Sequence, residues 1–198
     1  MNHIWEGTVQ SKRKELGLEP KTFLPGHFRR IWPSDEPAYR AHLLRLDPEG
    51  RNMRFAGAIS DEALIAYGRR IADADRVLHG FFERGELRGT AELVPADDAE
   101  ETAEAALSVE RGYRRRGVGL ELMRRTIRAA RLRGLRRLQV RCLPTNRAMQ
   151  NLARRFTDEL SFEGGDVLAL IAPPPATGAT FADEAVESLR GLALSWCE

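Results

Sequence analysis

Apolar and polar residues follow two periods along this chain, and turn-forming residues separate the segments. Alternation at every second position is typical of a strand with one buried face, whereas apolar residues at i, i+3 and i+4 are typical of a helix. In the first half the pattern predicts a strand over 28–32, a helix after Pro33-Ser34-Asp35 that ends at Pro48-Glu49-Gly50, a connector over 51–55, a helix capped by Ser60 or Asp61, and a hairpin of strands 76–83 and 86–93 around Arg84-Gly85.

The second half repeats the alternation of strands and helices. The pattern predicts a strand over 103–109, a helix over 117–133, a strand over 138–143, a helix over 146–156, and a hairpin of 160–162 with 167–172 through Gly164-Gly165. The 117–133 segment is amphipathic. It places Leu120, Met123, Ile127 and Ala130 on one face and arginines on the other.

These elements divide the chain into three parts. Residues 1–25 have weak periodicity and are interpreted as an N-terminal extension, and residues 26–173 form one domain. Residues 174–198 are interpreted as a linker and a C-terminal amphipathic helix, with Val186, Leu189, Ala193 and Trp196 in a stripe. That helix either packs on the domain or joins two copies, so a monomer and a homodimer both stay open.

Composition narrows the class of protein. With 198 residues, 42% of them hydrophobic and 30% charged, the chain suits one soluble domain with additions. No apolar run reaches the ~18 residues of a membrane span, so no membrane partner is expected. Cys142 and Cys197 show no motif spacing. Two thiols in this length indicate a reducing compartment, and we expect a cytoplasmic protein.

Charge is unevenly placed, because eleven arginines fall between 111 and 137 while the net charge is only +2. We interpret those of the Arg114–Arg116 turn as part of an anion site, and most of the others as a solvated helix face. Nucleic acid is not an expected partner, since no aromatic residues interleave with the arginines.

The stretch AEAALSVERGYRRRGVG, residues 103–119, carries the candidate chemistry. It reads as a strand, a turn rich in Gly and Arg, and the start of a helix. Glycines allow a ligand to approach the backbone, and the first N–H groups of a helix lack intrahelical partners. This composition is typical of a phosphate or pyrophosphate cradle. A nucleotide P-loop is excluded because Val118-Gly119 stand where Lys-Ser/Thr is needed, and G-x-G-x-x-G is absent.

One phosphate motif does fit. Arg114 to Gly119 form R-x-x-G-x-G after a strand, which resembles the acyl-CoA pyrophosphate loop of the GNAT superfamily of N-acetyltransferases. The resemblance covers roughly residues 27–172 and includes Asn146 with Met149 and Leu152. It implies an α/β (α+β) fold with a central mixed, mostly antiparallel sheet, a splayed strand pair and flanking helices.

The same resemblance assigns a site for acetyl-CoA as cosubstrate, without a metal. It places the pyrophosphate at the backbone of the loop, the pantetheine arm at the strand before it, and a further contact at Asn146, which also suits a helix N-cap. The residues so assigned are Leu107, Ser108, Val109, Arg114, Arg115, Arg116, Gly117, Val118, Gly119 and Asn146.

Within the superfamily, RRIWPSDEPAYRAHLLRLDPEGRNMRF followed by the 103–119 stretch is similar to the bacterial protein-lysine acetyltransferase group. That likeness implies transfer of an acetyl group to a primary amine, a protein lysine or a small amine, by direct attack. It makes Glu104 the general base, since an ammonium acceptor must first lose a proton. The alternative for Glu104 is a strand glutamate that only faces solvent.

Some residues depart from the pattern of the GNAT superfamily, and others are interpreted as structural. The resemblance implies a tyrosine acid where Ala153 stands, and Leu-Gly-Phe where Phe156-Thr157-Asp158 stand. The missing tyrosine keeps open a second function, a non-catalytic acyl-CoA-binding regulatory module. His79, lone on a strand, is interpreted as structural rather than as a base. Phe55 and Tyr67 are candidates for the wall of the acceptor pocket, but ordinary packing is the preferred interpretation of both.

Overall fold

The computed structural model describes residues 26–73, 75–96, 101–178 and 181. Its seven strands are β1 His27–Ile31, β2 Val77–Glu83, β3 Glu86–Pro95, β4 Thr102–Val109, β5 Arg137–Cys142, β6 Leu160–Glu163 and β7 Asp166–Ile171. Both hairpins turn where the sequence predicts, since Arg84-Gly85 and Gly164-Gly165 have the positive φ angles that tight turns need. Each predicted strand is present within one or two residues of its predicted bounds.

In the described part of the chain, five helices flank the sheet. They are α1 Glu36–Arg45, α2 Pro48–Phe55, α3 Asp61–Gly68, α4 Val118–Leu132 and α5 Arg147–Ala153, and single 3₁₀ turns lie at Pro33–Asp35, Arg69–Ala72 and Arg111–Tyr113. Ser60 caps α3, because its hydroxyl accepts from the Ala63 N–H at 3.2 Å.

Helix α2 corrects the sequence prediction, which had Pro48-Glu49-Gly50 end one helix and a connector follow. Pro48 instead occupies the first turn, where its missing N–H costs nothing. The Asp47 carboxylate accepts from the Gly50 N–H at 2.9 Å and caps the new helix. Of α2 only Gly50 is buried, so no apolar period reveals this helix.

The strands form one sheet in the order β1-β2-β3-β4-β5-β7-β6. Every neighbouring pair is antiparallel except β4 with β5, which is parallel. This central pair meets only from Thr102 to Glu104, opposite Arg137 to Gln139. Beyond Glu104 the two strands separate, so the sheet has the splayed pair that the resemblance implies.

Two apolar clusters lie on opposite faces of the sheet. One lies under α4 and α5 and includes Phe81, Leu107, Leu122, Met123 and Leu138. The other lies under α1 and α3 and includes Tyr39, Leu43, Leu64, Leu78 and Phe82. Alternate residues of β2 thus serve different clusters, as a period of two requires. We call these the α4 face and the α1 face.

The buried stripe of α4 is rotated from the predicted one. Met123 and Ala130 are buried as expected, but Leu120 and Ile127 are only half-buried. Val118, Leu122, Thr126 and Ala129 complete the buried side. The arginines still gather mostly on the outside, so the helix is amphipathic as predicted.

The chain ends lie largely outside the described residues. The N-terminal extension at 1–25 and the C-terminal helix at 182–198 both fall there, so the three-part division stays a prediction. Among the helices that the structure does describe, none combines the length and apolarity needed to cross a membrane.

Candidate functional site

The loop between β4 and α4 has the backbone of an anion cradle. Gly117 is the N-cap of α4 with φ +88°, and Arg115 has φ +58°, a conformation that non-glycine residues adopt rarely. The first intrahelical bond runs from the Glu121 N–H to the Gly117 carbonyl at 3.1 Å. The N–H groups of the three residues between them therefore have no acceptor inside the helix. They point, with the positive end of the helix dipole, toward the loop.

Arg114 does not extend from this loop into solvent. Its Nε donates to the Val109 carbonyl at 3.0 Å, and its Nη2 donates to Asp47 Oδ1 at 2.6 Å. Burial would raise the pKa of Asp47, but the hydrogen bond from Arg114 outweighs it and the pKa lies below its ordinary value. A Cβ on Gly50 would lie 2.6 Å from Arg114 Nη2 and 2.6 Å from Asp47 Oδ1, so a larger residue there would have to displace this pair. Arg114 thus ties the loop to α2.

The backbone of β4 has an open edge beside the loop. In an antiparallel pair, successive residues direct their N–H and C=O groups alternately to the two sides. The Glu110 N–H donates to the carbonyl of Arg88 in β3, whereas the Glu101 carbonyl accepts from the N–H of Arg137 at the start of β5. Odd-numbered residues of β4 therefore face β5. Because β5 pairs only as far as Glu104, Leu107 aims both backbone groups into the splay.

A cleft opens where β4 and β5 separate. It encloses about 270 Å³, part of it open to solvent. Glu104 is exposed at its edge, on the strand position that the resemblance gives the general base. The cleft is lined by Met53 and Arg54 of α2, by residues of β4, by the end of β5 and by the start of α5: Glu104, Ala105, Ala106, Leu107, Arg141, Cys142, Asn146 and Met149.

Asn146 has the helix-capping role that the sequence left open, while its contact with a ligand stays a prediction. Its Oδ1 accepts from the Met149 N–H at 3.0 Å and so caps α5. Its side chain also lines the cleft. Because the cap uses only the amide oxygen, the NH₂ group remains as a donor toward a ligand.

A buried carboxylate lies on the same face of the sheet as Glu104. Glu92 in β3 is fully buried, and each of its oxygens accepts two bonds. Tyr39 and Arg54 donate to Oε1, while Tyr67 and Arg76 donate to Oε2 at 2.8 and 3.0 Å. Burial by itself would raise the pKa of Glu92, but the Arg54 charge and these bonds outweigh it and hold the pKa below its usual value. The carboxylate thereby anchors α2, which walls the cleft.

A second buried network joins α1 to β4. The Glu110 carboxylate only accepts, so His42 Nδ1 donates to it at 3.2 Å and Nε2 accepts from the Ser108 hydroxyl at 2.9 Å. Thr90 lies 2.9 Å from the Ser108 oxygen and donates to it. Burial lowers the pKa of His42, which favours this neutral form. The connectivity is that of a nucleophile, a base and an acid. However, Ser108 is buried under α1, away from the cleft, and the network fixes the strand.

The structure brings together some predicted site residues and separates others. Glu104, Leu107 and Asn146 line one cleft, and the Arg114–Gly119 loop follows from the same strand. The Ser108 side chain turns toward α1, and the Val109 carbonyl is occupied by Arg114. The contacts assigned to coenzyme A at all ten loop, strand and Asn146 positions stay predictions.

The structure also shows where the residues with weaker functional interpretations lie. His79 is buried on the α4 face, and burial followed by Arg125, Arg30, Arg128 and Arg133 lowers its pKa to about 3. Phe55 and Tyr67 pack edge to face at 5.2 Å, and neither lines the cleft. Ala153, where the tyrosine acid was implied, is buried in the cluster under α4.

Sequence reasoning did not assign six of the lining residues to the site: Met53, Arg54, Ala105, Ala106, Arg141 and Cys142. The signal for the last two is their position at the end of a strand, directly before Leu-Pro-Thr-Asn. Burial raises the pKa of Cys142, so its thiol is protonated at neutral pH. Within the described part of the chain, no group of three or more His, Cys, Asp or Glu residues is placed to hold a metal ion.

Comparison with known proteins gives the family. The sequence model of the acetyltransferase (GNAT) family matches residues 27–157. No curated protein matches the sequence significantly. Among solved structures, the GNAT domain of PAT from S. lividans superposes with a TM-score of 0.63 at 24% identity, over 74% of this chain and 90% of that one.

Two further structures extend the comparison of folds. A cAMP-binding acyltransferase from Mycobacterium smegmatis matches with a TM-score of 0.59 at 22% identity, over 96% of this chain and 60% of that longer one. The PaiA N-acetyltransferase from Thermoplasma acidophilum, solved with coenzyme A, matches at 0.57 and 16% identity, over 75% and 99%. At these identities the likeness concerns the fold.

Proposed function

The chain belongs to the GNAT acetyltransferase family, and from that premise we propose that it transfers an acetyl group from acetyl-CoA to a primary amine. Attack is direct, and Glu104 acts as the general base. The observation that supports this most is the shared cleft, in which a carboxylate, the open edge of β4 and the Asn146 amide meet, while the glycine-rich loop follows at the end of the same strand.

The backbone fits the acyl-CoA that this function needs. The free amides at the start of α4 suit a pyrophosphate, and a Cβ on Gly117 would meet nothing within 4 Å, so the loop leaves room for a ligand. Next to it, the N–H and C=O groups of Leu107 suit an amide-containing arm laid along the strand as an added strand would lie. The PaiA structure with coenzyme A supports this choice of cosubstrate.

The chemistry asks for one proton acceptor. The amine nitrogen forms a bond to the thioester carbonyl carbon, the carbon–sulfur bond breaks, and coenzyme A leaves as a thiolate. The amine loses one proton, which Glu104 takes directly or through a water molecule. Glu104 is exposed at the cleft, so both routes are open to it. With Ala153 in place of a tyrosine, the thiolate takes its proton either from solvent or from another group.

The family and the likeness to the fold of the S. lividans PAT domain support an amine as the acceptor. A protein lysine and a small amine both satisfy the chemistry. We further propose that the protein acts in the cytoplasm, where acetyl-CoA is present, as a monomer or homodimer. The second candidate function, a non-catalytic acyl-CoA-binding module, is favoured only by Ala153.

Binding and turnover test the proposal separately. Acetyl-CoA, but not ATP, should raise the melting temperature, and thiol release should appear with a panel of amines and lysine peptides. Gly117→Glu should abolish both, because it adds a negative charge and a Cβ at φ +88°. Gly164→Glu, at φ +61° on the distant β6–β7 turn, controls for backbone strain.

The general base has its own test. Glu104→Gln should lower kcat by about 10²- to 10⁴-fold while acetyl-CoA still binds. Glu163→Gln, an exposed strand glutamate outside the cleft, should change nothing. Unchanged turnover in Glu104→Gln would exclude Glu104 as the base. Binding of acetyl-CoA without thiol release for any amine would favour the regulatory module.

A further inference from the structure

Two opposite charges line the cleft without pairing. Glu104 projects from β4 and Arg141 from β5, and both are exposed. Because Glu104 is paired with Gln139 across the parallel strands, the odd-numbered residues of β5 share its side of the sheet. Among the described residues neither Glu104 nor Arg141 has a hydrogen bond or an ion pair, with each other or with a third group.

The other cation in the lining is already neutralised. Arg54 binds the buried Glu92 carboxylate, so its charge is offset within the protein. The remaining lining residues carry no charge at neutral pH. The cleft therefore presents one unpaired carboxylate and one unpaired guanidinium, set apart on its two strands.

A plain amine satisfies only half of this arrangement. Its nitrogen suits Glu104, but it leaves the guanidinium without a partner, and an ammonium is repelled by that charge. A carboxylate on the same substrate matches the guanidinium fork with two parallel hydrogen bonds. An ion pair formed in a cleft is also screened by salt less than one on an open surface.

Resting on the proposed function, we propose that Arg141 binds a carboxylate that the substrate brings into the cleft, and that the acceptor is an amino acid or another amine bearing a carboxylate. Glu104 receives the amine and Arg141 the carboxylate. The carboxylate that Arg141 binds has a second source, an acyl group with a terminal carboxylate such as succinyl. The two sources are separable because one varies with the acceptor and the other with the thioester.

Matched acceptors provide the test. Thiol release from acetyl-CoA is measured with alanine and phenylalanine and with their amides, which carry no carboxylate and whose amines have lower pKa values and lose a proton more easily. The wild-type protein should favour the acids in kcat/KM by about tenfold or more, the weight of a charge-assisted pair. Arg141→Gln should raise KM for the acids by that factor and leave the amides unchanged, and Arg141→Lys should restore part of the preference.

Arg137→Gln is the matched control. Arg137 lies on the same strand and the same side of the sheet but does not line the cleft, so this variant should keep the preference. Succinyl-CoA runs beside acetyl-CoA. If Arg141→Gln weakens only succinyl transfer, whatever the acceptor, the carboxylate belongs to the acyl group and the acceptor assignment is overturned.

Equal use of acids and amides, or an equal effect of Arg141→Gln on both, would overturn the inference while leaving the acetyltransferase in place. A protein that releases no thiol with any acceptor would instead overturn the proposed function, and the acceptor assignment with it.

Discussion

The two faces of the sheet are stabilised in different ways. The α4 face is packed by apolar side chains such as Leu122 and Met123, which are completely buried. The α1 face has an apolar cluster too, but beside it lie two buried polar networks, centred on Glu92 and on His42 with Glu110. The cleft and Glu104 open on the α1 face.

The difference is between non-directional apolar packing on one face and directional polar contacts on the other. Apolar packing is non-directional, so α4 is held by area and by fit. A buried carboxylate needs its donors at fixed positions, and so Glu92 sets where α1, α2, α3 and the segment before β2 lie. Helix α2, which walls the cleft, is thereby positioned by directional contacts.

The largest expected effect comes from removing the charge at the centre of the polar network. Glu92→Gln leaves Arg54 and Arg76 buried beside a neutral group, so the free energy of unfolding should fall by about 3–5 kcal/mol. Urea denaturation at pH 7 measures this loss of stability.

The contribution of Glu92 to stability depends on pH. Because the folded pKa of Glu92 is lowered, this contribution is complete above the unfolded value of about 4.3 and is lost as pH falls through the folded value. The variant and the wild type should therefore converge in acid. A loss below about 1 kcal/mol at pH 7 would contradict the role assigned here.

Leu122→Ala tests the opposite face. The side chain is completely buried, so truncation should cost about 2–5 kcal/mol from lost burial and the cavity. Unlike Glu92→Gln, the loss should be equal at pH 7 and pH 4, since no charge is involved. Leu120→Ala, half-buried on the same helix, should cost less. A pH-dependent loss would show that the two faces are not independent.

His79 is the exception on the α4 face, because its buried Nδ1 has no hydrogen-bond partner among the described residues. Its pKa is about 3 in the fold against about 6.5 in the unfolded chain. As pH falls from 7 toward 3, the unfolded chain binds a proton that the folded one does not, and the wild type loses stability. His79→Leu should lack that loss, so its stability relative to wild type should rise on acidification.

His42 provides the contrast for this measurement. Both of its ring nitrogens are bonded, so His42→Leu should already destabilise the protein at neutral pH. Thermal denaturation between pH 7 and pH 4 compares the two. If the stability of His79→Leu changes with pH as that of the wild type does, the pKa of His79 is not lowered in the fold, contrary to this prediction.

The smallest effect on stability, with a specific effect on binding, is expected at the link between loop and helix. Asp47→Asn keeps the cap on α2 but removes the charge that holds Arg114, so stability should change by less than about 1 kcal/mol. The KM for acetyl-CoA should rise several-fold while the KM for the acceptor stays the same. Asp47→Ala, which also removes the cap, should add about 1 kcal/mol of instability. Equal changes in both KM values would show that the link does not act on the loop.

Much of the fold could be predicted because its signals are local. The alternation over Ala103–Val109, the turn at Gly117 and the amphipathic helix after it need only neighbouring residues, and all three are confirmed. Helix α2 was missed because the prediction relied on apolar periodicity. Its sequence has no apolar period, and the deciding contact is the Asp47 cap rather than burial.

The candidate site was predictable only in part. Glu104 and Asn146 follow from their place relative to the loop motif, and both line the cleft. The partner of Arg114 did not follow, since Asp47 lies 67 positions away in the chain. Nor did Arg141, whose strand shows only that it is exposed, and not that it faces Glu104 across a gap.

The sequence alone determined the order of strands and helices, the glycine- and arginine-rich loop after β4 and the family resemblance, because each depends on residues close together in the chain. The tertiary structure decided which charges are matched and which are left open. Glu92 meets Tyr39 across 53 positions and is satisfied, while Glu104 and Arg141 meet no partner in the part of the chain that the structure describes. The physical reason is that a charge is neutralised by whatever packing brings near it, and packing depends on the whole chain at once.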